Sequence, residues 1–241
     1  MDPGDNVYFL CRVRDEDAVL GPSITPDFLH HDFGHARNAD WVTVSELLVP
    51  GRVQRSIIAQ RTIQRIRCSE LQESYFAYIH SELLKHPNSD FIPNVDENGL
   101  AEQIAAISPA GFGDILGPDD YEDLVAAFLQ AQGWTLIRST YFKAKPTFEF
   151  MVVRPGPEYG HVQVKCGNVQ LRPSEYERFT SHNECVFLLS THPDPYPGPS
   201  VDHHHGLNSA EVLQWARRNT WALLPGVKIQ LALHSQFGSR T

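Results

Sequence analysis

Residues 119–167, DDYEDLVAAFLQAQGWTLIRSTYFKAKPTFEFMVVRPGPEYGHVQVKCG, change their hydrophobic period part-way along, and that change decides the fold. Tyr121, Leu124, Val125, Phe128 and Leu129 recur at i, i+3, i+4, i+7 and i+8, the spacing of one apolar stripe on a helix. Asp119 or Asp120 suits the start of that helix, and Gly133 suits its end, in the left-handed conformation that other residues resist. From Trp134 the period becomes two. Trp134 to Phe142, Phe148 to Val153 and His161 to Cys166 read as three strands rich in β-branched and aromatic residues. The segment PGPEYG makes a hairpin-like turn between the last two.

Alternation assigns the faces. Phe148, Phe150 and Val152 are expected on one face of the second strand, with Glu149, Met151 and Val153 on the other. In the third strand Val162 and Val164 share a face opposite Gln163 and Lys165. Pairing of the two strands brings Glu149, Gln163 and Lys165 together. A neutral polar group buried without a partner costs roughly 2–7 kcal/mol, so a carboxylate, an amide and an ammonium on otherwise apolar strands call for a reason. One reason is a buried Glu149–Lys165 ion pair; the other is chemistry.

The order of a helix acid, a strand acid and then Gln-x-Lys on the next strand resembles the PD-(D/E)xK phosphodiesterase fold, and within it the Mrr-like restriction endonucleases. The matching positions are Glu122 on the helix, Glu149 as the strand acid, and Gln163 with Lys165. LRPSEYERF resembles the family's next helix, CVFLLST its next core strand and NSAEVLQWARRN a closing helix, so the resemblance covers roughly residues 114 to 234. It implies an α/β, restriction-endonuclease-like core, a mixed central sheet flanked by helices. It also implies a metal-dependent endonuclease acting on DNA in restriction or defence. Glu149 would be the main metal ligand, Gln163 would offer its side-chain carbonyl and Val164 its backbone carbonyl. Lys165 would orient the attacking water or stabilise the developing charge, and Glu122 would act from the helix. Members usually carry Asp where this chain has Glu149, which shifts the ligand by about one methylene in a site sensitive to such displacements. The alternative is therefore a catalytically inactive module of the same fold that binds nucleic acid or protein. Glu122 has a second reading too, because it stands three residues after Asp119, the spacing of a capping box.

The residue types suit the reaction. Phosphodiester hydrolysis needs neutralisation of the non-bridging oxygens, an activated water and help for the leaving alkoxide. A hard divalent cation with oxygen ligands supplies the first two, with Mg²⁺ the first expectation and Mn²⁺ an alternative. With Gln in place of an acid, one tightly held metal is expected.

Composition bounds the rest. The 241 residues carry 41% hydrophobic residues, enough for one large or two small globular domains. The chain shows neither a membrane-spanning run nor a secretory leader, so a cytoplasmic location and no membrane partner are expected. Cys11, Cys68, Cys166 and Cys185 are scattered without metal-ligand spacing and read as reduced. The net charge of −9 argues against strong non-specific binding to phosphates, and the acid excess is heavier in the first half. Tight binding to DNA would need a basic patch, a partner or a homodimer, which two cuts in a duplex would favour on symmetry.

The chain divides near the Gly- and Pro-rich SPAGFGDILGPDD, expected to be a loop, giving an N-terminal α+β module at 1–107 and the nuclease-like domain at 108–241. In the module, Tyr8 to Val13 and Trp41 to Val44 read as strands and Val44 to Leu48 as a helix start. SELQESYFAYIHSELLKH and GLAEQIAAI read as helices. Arg52, Arg55, Arg61, Arg65 and Arg67, interleaved with isoleucines, are the candidate nucleic-acid contacts, or else a solvated face. His30, His31 and His35 around Gly34 read as a surface loop and not a zinc site. The histidines of Asp202–Gly206 are likewise read as loop residues after the alternating prolines Pro193 to Pro199.

Overall fold

The computed structural model describes residues 8–13, 19–20, 35–36, 39–50, 53, 70–86, 91–137, 147–156 and 158–237. Two short ribbons come first. Strand β1 (Tyr8–Val13) pairs antiparallel with β4 (Ala39–Val44), and β2 (Val19–Leu20) with β3 (His35–Ala36). A 3₁₀ turn at Glu46–Leu48 follows β4 where the sequence suggested a helix start. The main sheet has five strands in the order β5 (Thr135–Leu136), β6 (Phe150–Arg154), β7 (Glu158–Lys165), β8 (Glu184–Ser190), β9 (His204–Gly206). Neighbours are antiparallel as far as β7 and parallel from β7 to β9. The architecture is mixed α/β.

Among the described residues five helices accompany the sheets: α1 (Glu70–Lys85), α2 (Glu97–Ala106), α3 (Pro109–Ala131), α4 (Ser209–Arg218) and α5 (Pro225–Phe237). One face of the five-stranded sheet, carrying Phe150, Val152, Val162, Val164, Phe187 and Leu189, packs into a core with residues of α2, α3, α4 and α5. The other face, carrying Val186 and Leu188, is covered by Phe148, Leu171 and Tyr176. A third cluster joins β4, Leu48 and the Tyr75, Ile79, Leu83 stripe of α1 to Ile229 and Leu233 of α5. Among the described residues no helix is long and apolar enough to cross a membrane.

Several expectations are corrected. The segment read as an inter-domain loop is mostly helix: α3 starts at Pro109, not at Asp119, and Ser108 Oγ caps it by accepting from the Gly111 N–H at 3.1 Å. Burial of Phe112, Ile115 and Leu116 overrides the local Gly and Pro preference, which survives only as a break at Gly117, φ +79°, before Pro118. Residues 173–179 form two 3₁₀ turns in place of a helix. His204 and His205 lie in β9, not in a loop. The strand expected to reach Phe142 is described only as far as Ile137, whose N–H still donates to the Met151 carbonyl.

Phe148 is on the opposite side of the sheet from Phe150, against the simple alternation. Val162 is the register partner of Phe150, and its carbonyl also accepts from the Glu149 N–H at 2.9 Å. Two residues thus face one, a bulge-like slip that turns Phe148 and Glu149 to the same side.

Candidate functional site

Three side chains meet on the sheet face away from the helices. Lys165 Nζ donates to Glu149 Oε1 at 2.7 Å, and Gln163 Nε2 donates to the same oxygen at 3.1 Å. Gln163 and Lys165 lie two apart on β7 and so share a face, and Glu149, one residue before Phe150, falls on that face by alternation. The hairpin between β6 and β7, closed by the Arg154–Glu158 ion pair at 2.5 Å, holds that register. Exposure is graded across the trio: Gln163 is 4% exposed, the Glu149 side chain 21% and the Lys165 side chain 40%. The base of the cluster is dry and its ammonium meets solvent.

Gln163 Oε1 is buried and has no hydrogen-bond partner. The amide nitrogen must face the carboxylate, since oxygen there would meet oxygen, so the free acceptor points away from Glu149. A buried acceptor left without a donor costs about 1–3 kcal/mol, which makes it the part of this cluster that asks for an electrophilic partner. Among the described residues no group of three His, Cys, Asp or Glu side chains can hold a metal ion. A cation here would depend on Glu149, on Gln163 Oε1 and on the Val164 backbone, whose side chain is committed to the helix-side core. One carboxylate with neutral oxygens fits a hard cation that keeps several waters, and does not fit a fully caged transition metal.

The walls come from the chain after β7 and after β8. Gly167 N–H donates to Thr191 Oγ1 at 2.8 Å, Leu171 N–H to the Pro195 carbonyl at 2.9 Å, and Gln170 Nε2 to the Asp194 carbonyl at 3.0 Å. The buried Ser190 hydroxyl donates to the Val169 carbonyl and accepts from the His192 N–H. Beyond the carboxyl ends of β7 to β9 opens a crevice of about 550 Å³ that includes Thr191, His192 and Tyr196, with the first residues of α3 and α4 on its rim. That position, outside the strand ends, is where open α/β sheets take ligands.

Two neighbours of the trio escaped the sequence reading. His161 shares the Gln163 and Lys165 face of β7, its ring 4.8 Å from that of Phe148, and the period-two pattern already placed it there. Tyr176 packs 5.8 Å from Phe148; burial, and then the Glu175 and Glu149 carboxylates, push its phenol up, so it stays a neutral donor. No local signal marks Tyr176, because the tertiary fold brings its 3₁₀ turn over the sheet.

Glu122 does not sit on the trio's face. It is buried on α3, which packs against the side of the sheet carrying Val162 and Val164. Its helix begins at Ser108, and the capping-box reading with Asp119 falls away because Pro118 already restarts the helix after the break. Arg52, Arg55, Arg61, Arg65 and Arg67 lie outside the described residues, as do His30, His31 and Cys68. Cys11, Cys166 and Cys185 are free thiols, and burial pushes Cys185 up to about 11. No family model, curated protein or solved structure matches this chain.

Proposed function

We propose that the chain is a metal-dependent nuclease that hydrolyses DNA phosphodiester bonds at the Glu149, Gln163, Lys165 cluster. The observation that carries this reading is the buried, partnerless Gln163 Oε1 beside a carboxylate whose other donor is a half-exposed ammonium. The order of α3, three antiparallel strands and a parallel strand after a crossover also agrees with the resemblance to the PD-(D/E)xK fold.

Bound Mg²⁺ or Mn²⁺ would supply charge neutralisation at the phosphoryl oxygens. The chain's own groups do the rest. Glu149 Oε1 holds Lys165 Nζ in place, and the exposed side of that ammonium is free to turn towards an entering water or a developing oxyanion. Gln163 is anchored through its nitrogen, and its buried oxygen would have to be uncovered to meet a cation shared with Glu149. The net charge of −9 provides little attraction for phosphates, so affinity for DNA should be low even at low salt.

Incubating plasmid DNA at low salt with and without Mg²⁺ or Mn²⁺ tests the reading. Cutting should require the metal and should be lost in Lys165→Ala, whose circular dichroism and melting temperature stay close to those of the parent. Full activity of a folded Lys165→Ala protein would overturn the assignment.

One observation favours a second reading. Lys165 and Gln163 both close on one oxygen of Glu149, an ion-paired cluster that a non-catalytic binding module could keep for structure alone. Under that reading neither metal raises the melting temperature, whereas a working site is stabilised by mass action.

A further inference from the structure

On the same sheet face, two strands over from the trio, lies a cavity of about 200 Å³ between β9 and the loop that precedes it. Its walls are mainly apolar, from Leu188, Tyr196, Pro173, Pro199 and Val201, with the exposed Ser200 at the loop side. The Tyr196 hydroxyl lies 2.6 Å from the carbonyls of both Leu188 and Leu207, which fixes the ring as a rigid wall. Gly206 is required opposite it, since a Cβ there would come within 2.7 Å of the Tyr196 ring. Behind this lining sits an unsatisfied imidazole nitrogen. His204, also part of the wall, approaches the Asp202 carbonyl through Nδ1 at 3.0 Å, while its Nε2 is buried with no partner.

Because a carbonyl only accepts, Nδ1 carries the proton and Nε2 is left as a bare acceptor. The preceding residue, His203, is the one non-glycine among the described residues with a positive φ, +62°, a conformation maintained only where surrounding contacts enforce it. Its carbonyl is held by the Val186 N–H at 2.9 Å. A mainly apolar slot with the Tyr196 wall held by hydrogen bonds and an unpaired imidazole acceptor behind it suits a small, flat, mostly apolar group that carries an N–H donor.

We propose that this slot receives a nucleobase, whose ring would lie between Tyr196 and the proline walls and whose amino or imino N–H would be donated to His204 Nε2. The assignment of the ring to a nucleotide rests on the phosphodiester reading above. Leu188, on the slot's floor, is the register partner of Gln163. With strands about 4.8 Å apart, the slot is on the order of 5–10 Å from the trio, the reach from a base to the phosphate of its own or the next nucleotide. The base would therefore be bound extruded beside the bond to be cut.

Metal-free protein in EDTA, titrated calorimetrically with the four deoxynucleoside 5′-monophosphates and with a single-stranded hexanucleotide and its abasic counterpart, tests the slot without any cleavage. At least one monophosphate should bind, and the intact hexanucleotide should bind more tightly than the abasic one. Affinity should fall at least tenfold in His204→Phe and in Val201→Trp, both with unchanged melting temperature. Should either variant misfold, the ¹⁵N resonance of His204 Nε2 in the parent protein should shift on titration. Binding of a monophosphate without preference for the intact hexanucleotide would keep the slot and assign it to free nucleotides. Absence of all binding with an unmoved His204 resonance, or affinity that survives both folded substitutions, would overturn it. Failure of the nuclease reading is seen separately, as nucleotide binding that depends on His204 in a protein that leaves every plasmid uncut.

Discussion

Gln163 is the residue on which the site turns, because it is almost fully buried and uses only its nitrogen. Replacing it with Leu removes an acceptor without a partner as well as one donor to Glu149, so stability should change by about 1 kcal/mol or less in either direction. The increase in melting temperature produced by millimolar Mg²⁺ or Mn²⁺ in the parent should disappear. A metal-induced increase of the same size in Gln163→Leu would remove the amide from the ligand set. At the far edge of the sheet, His205 stacks on Phe187 with ring centroids 5.2 Å apart, and the loss of hydration there pushes its imidazole down. The sign follows from linkage. With the folded pKa depressed, the unfolded chain takes up the proton first, so this contribution is intact above the ordinary value of 6.5 and is lost as pH falls below it. The drop in melting temperature between pH 7.5 and 5.5 should therefore be shallower in His205→Phe, which keeps the stack and cannot titrate. An identical slope in both proteins would show that His205 contributes nothing to it.

At the scale of elements, β7 is held from both sides through a gap that only glycine leaves. A Cβ on Gly160 would stand 2.7 Å from Phe187 Cε2 and 2.8 Å from Val152 Cγ2, on the strands to either side. Gly160→Ala should cost about 1–3 kcal/mol, the usual penalty of overpacking, seen as a lower urea midpoint with unchanged slope. A neutral result would mean that the Phe187 ring turns aside freely. The strands and helices with clear periodicity were legible in the sequence. The helical stripe of α1 and the runs that became β6 and β7 follow from spacing, the stop at Gly133 from glycine's tolerance of a positive φ, and β8 is expected from the resemblance. The trio was legible too, because period two places Gln163 with Lys165, and pairing supplies Glu149. What could not be read is where tertiary contacts overrule local preference. Phe112, Ile115 and Leu116 draw a Gly- and Pro-rich stretch into α3, an extra residue before Phe150 reverses the side taken by Phe148, and pairing with β8 makes a strand of a histidine run. Glu122 is read onto a helix, and it is buried on α3, which packs against the Val162 and Val164 face of the sheet.

At the scale of the whole molecule, α5 belongs to two cores at once. Val227 and Leu231 pack with the five-stranded sheet, and Ile229 and Leu233 with β4 and α1. Ahead of the boundary drawn at residue 107, Leu100 and Ile104 of α2 also lie in the sheet's core. Ile229→Ala should cost about 2–5 kcal/mol and should lower a single cooperative unfolding transition, because the cluster it weakens shares a helix with the other. Two resolved transitions in calorimetry would show that the clusters melt independently despite that helix.

The shared helix also orders the birth of the molecule. On the ribosome, β4 and α1 emerge long before Pro225–Phe237, so Leu48, Ile79 and Leu83 must wait with an open flank until nearly the whole of this chain has been synthesised. During that interval the nascent chain carries an open apolar groove. Among the described elements, the one that closes this cluster is the last to be made.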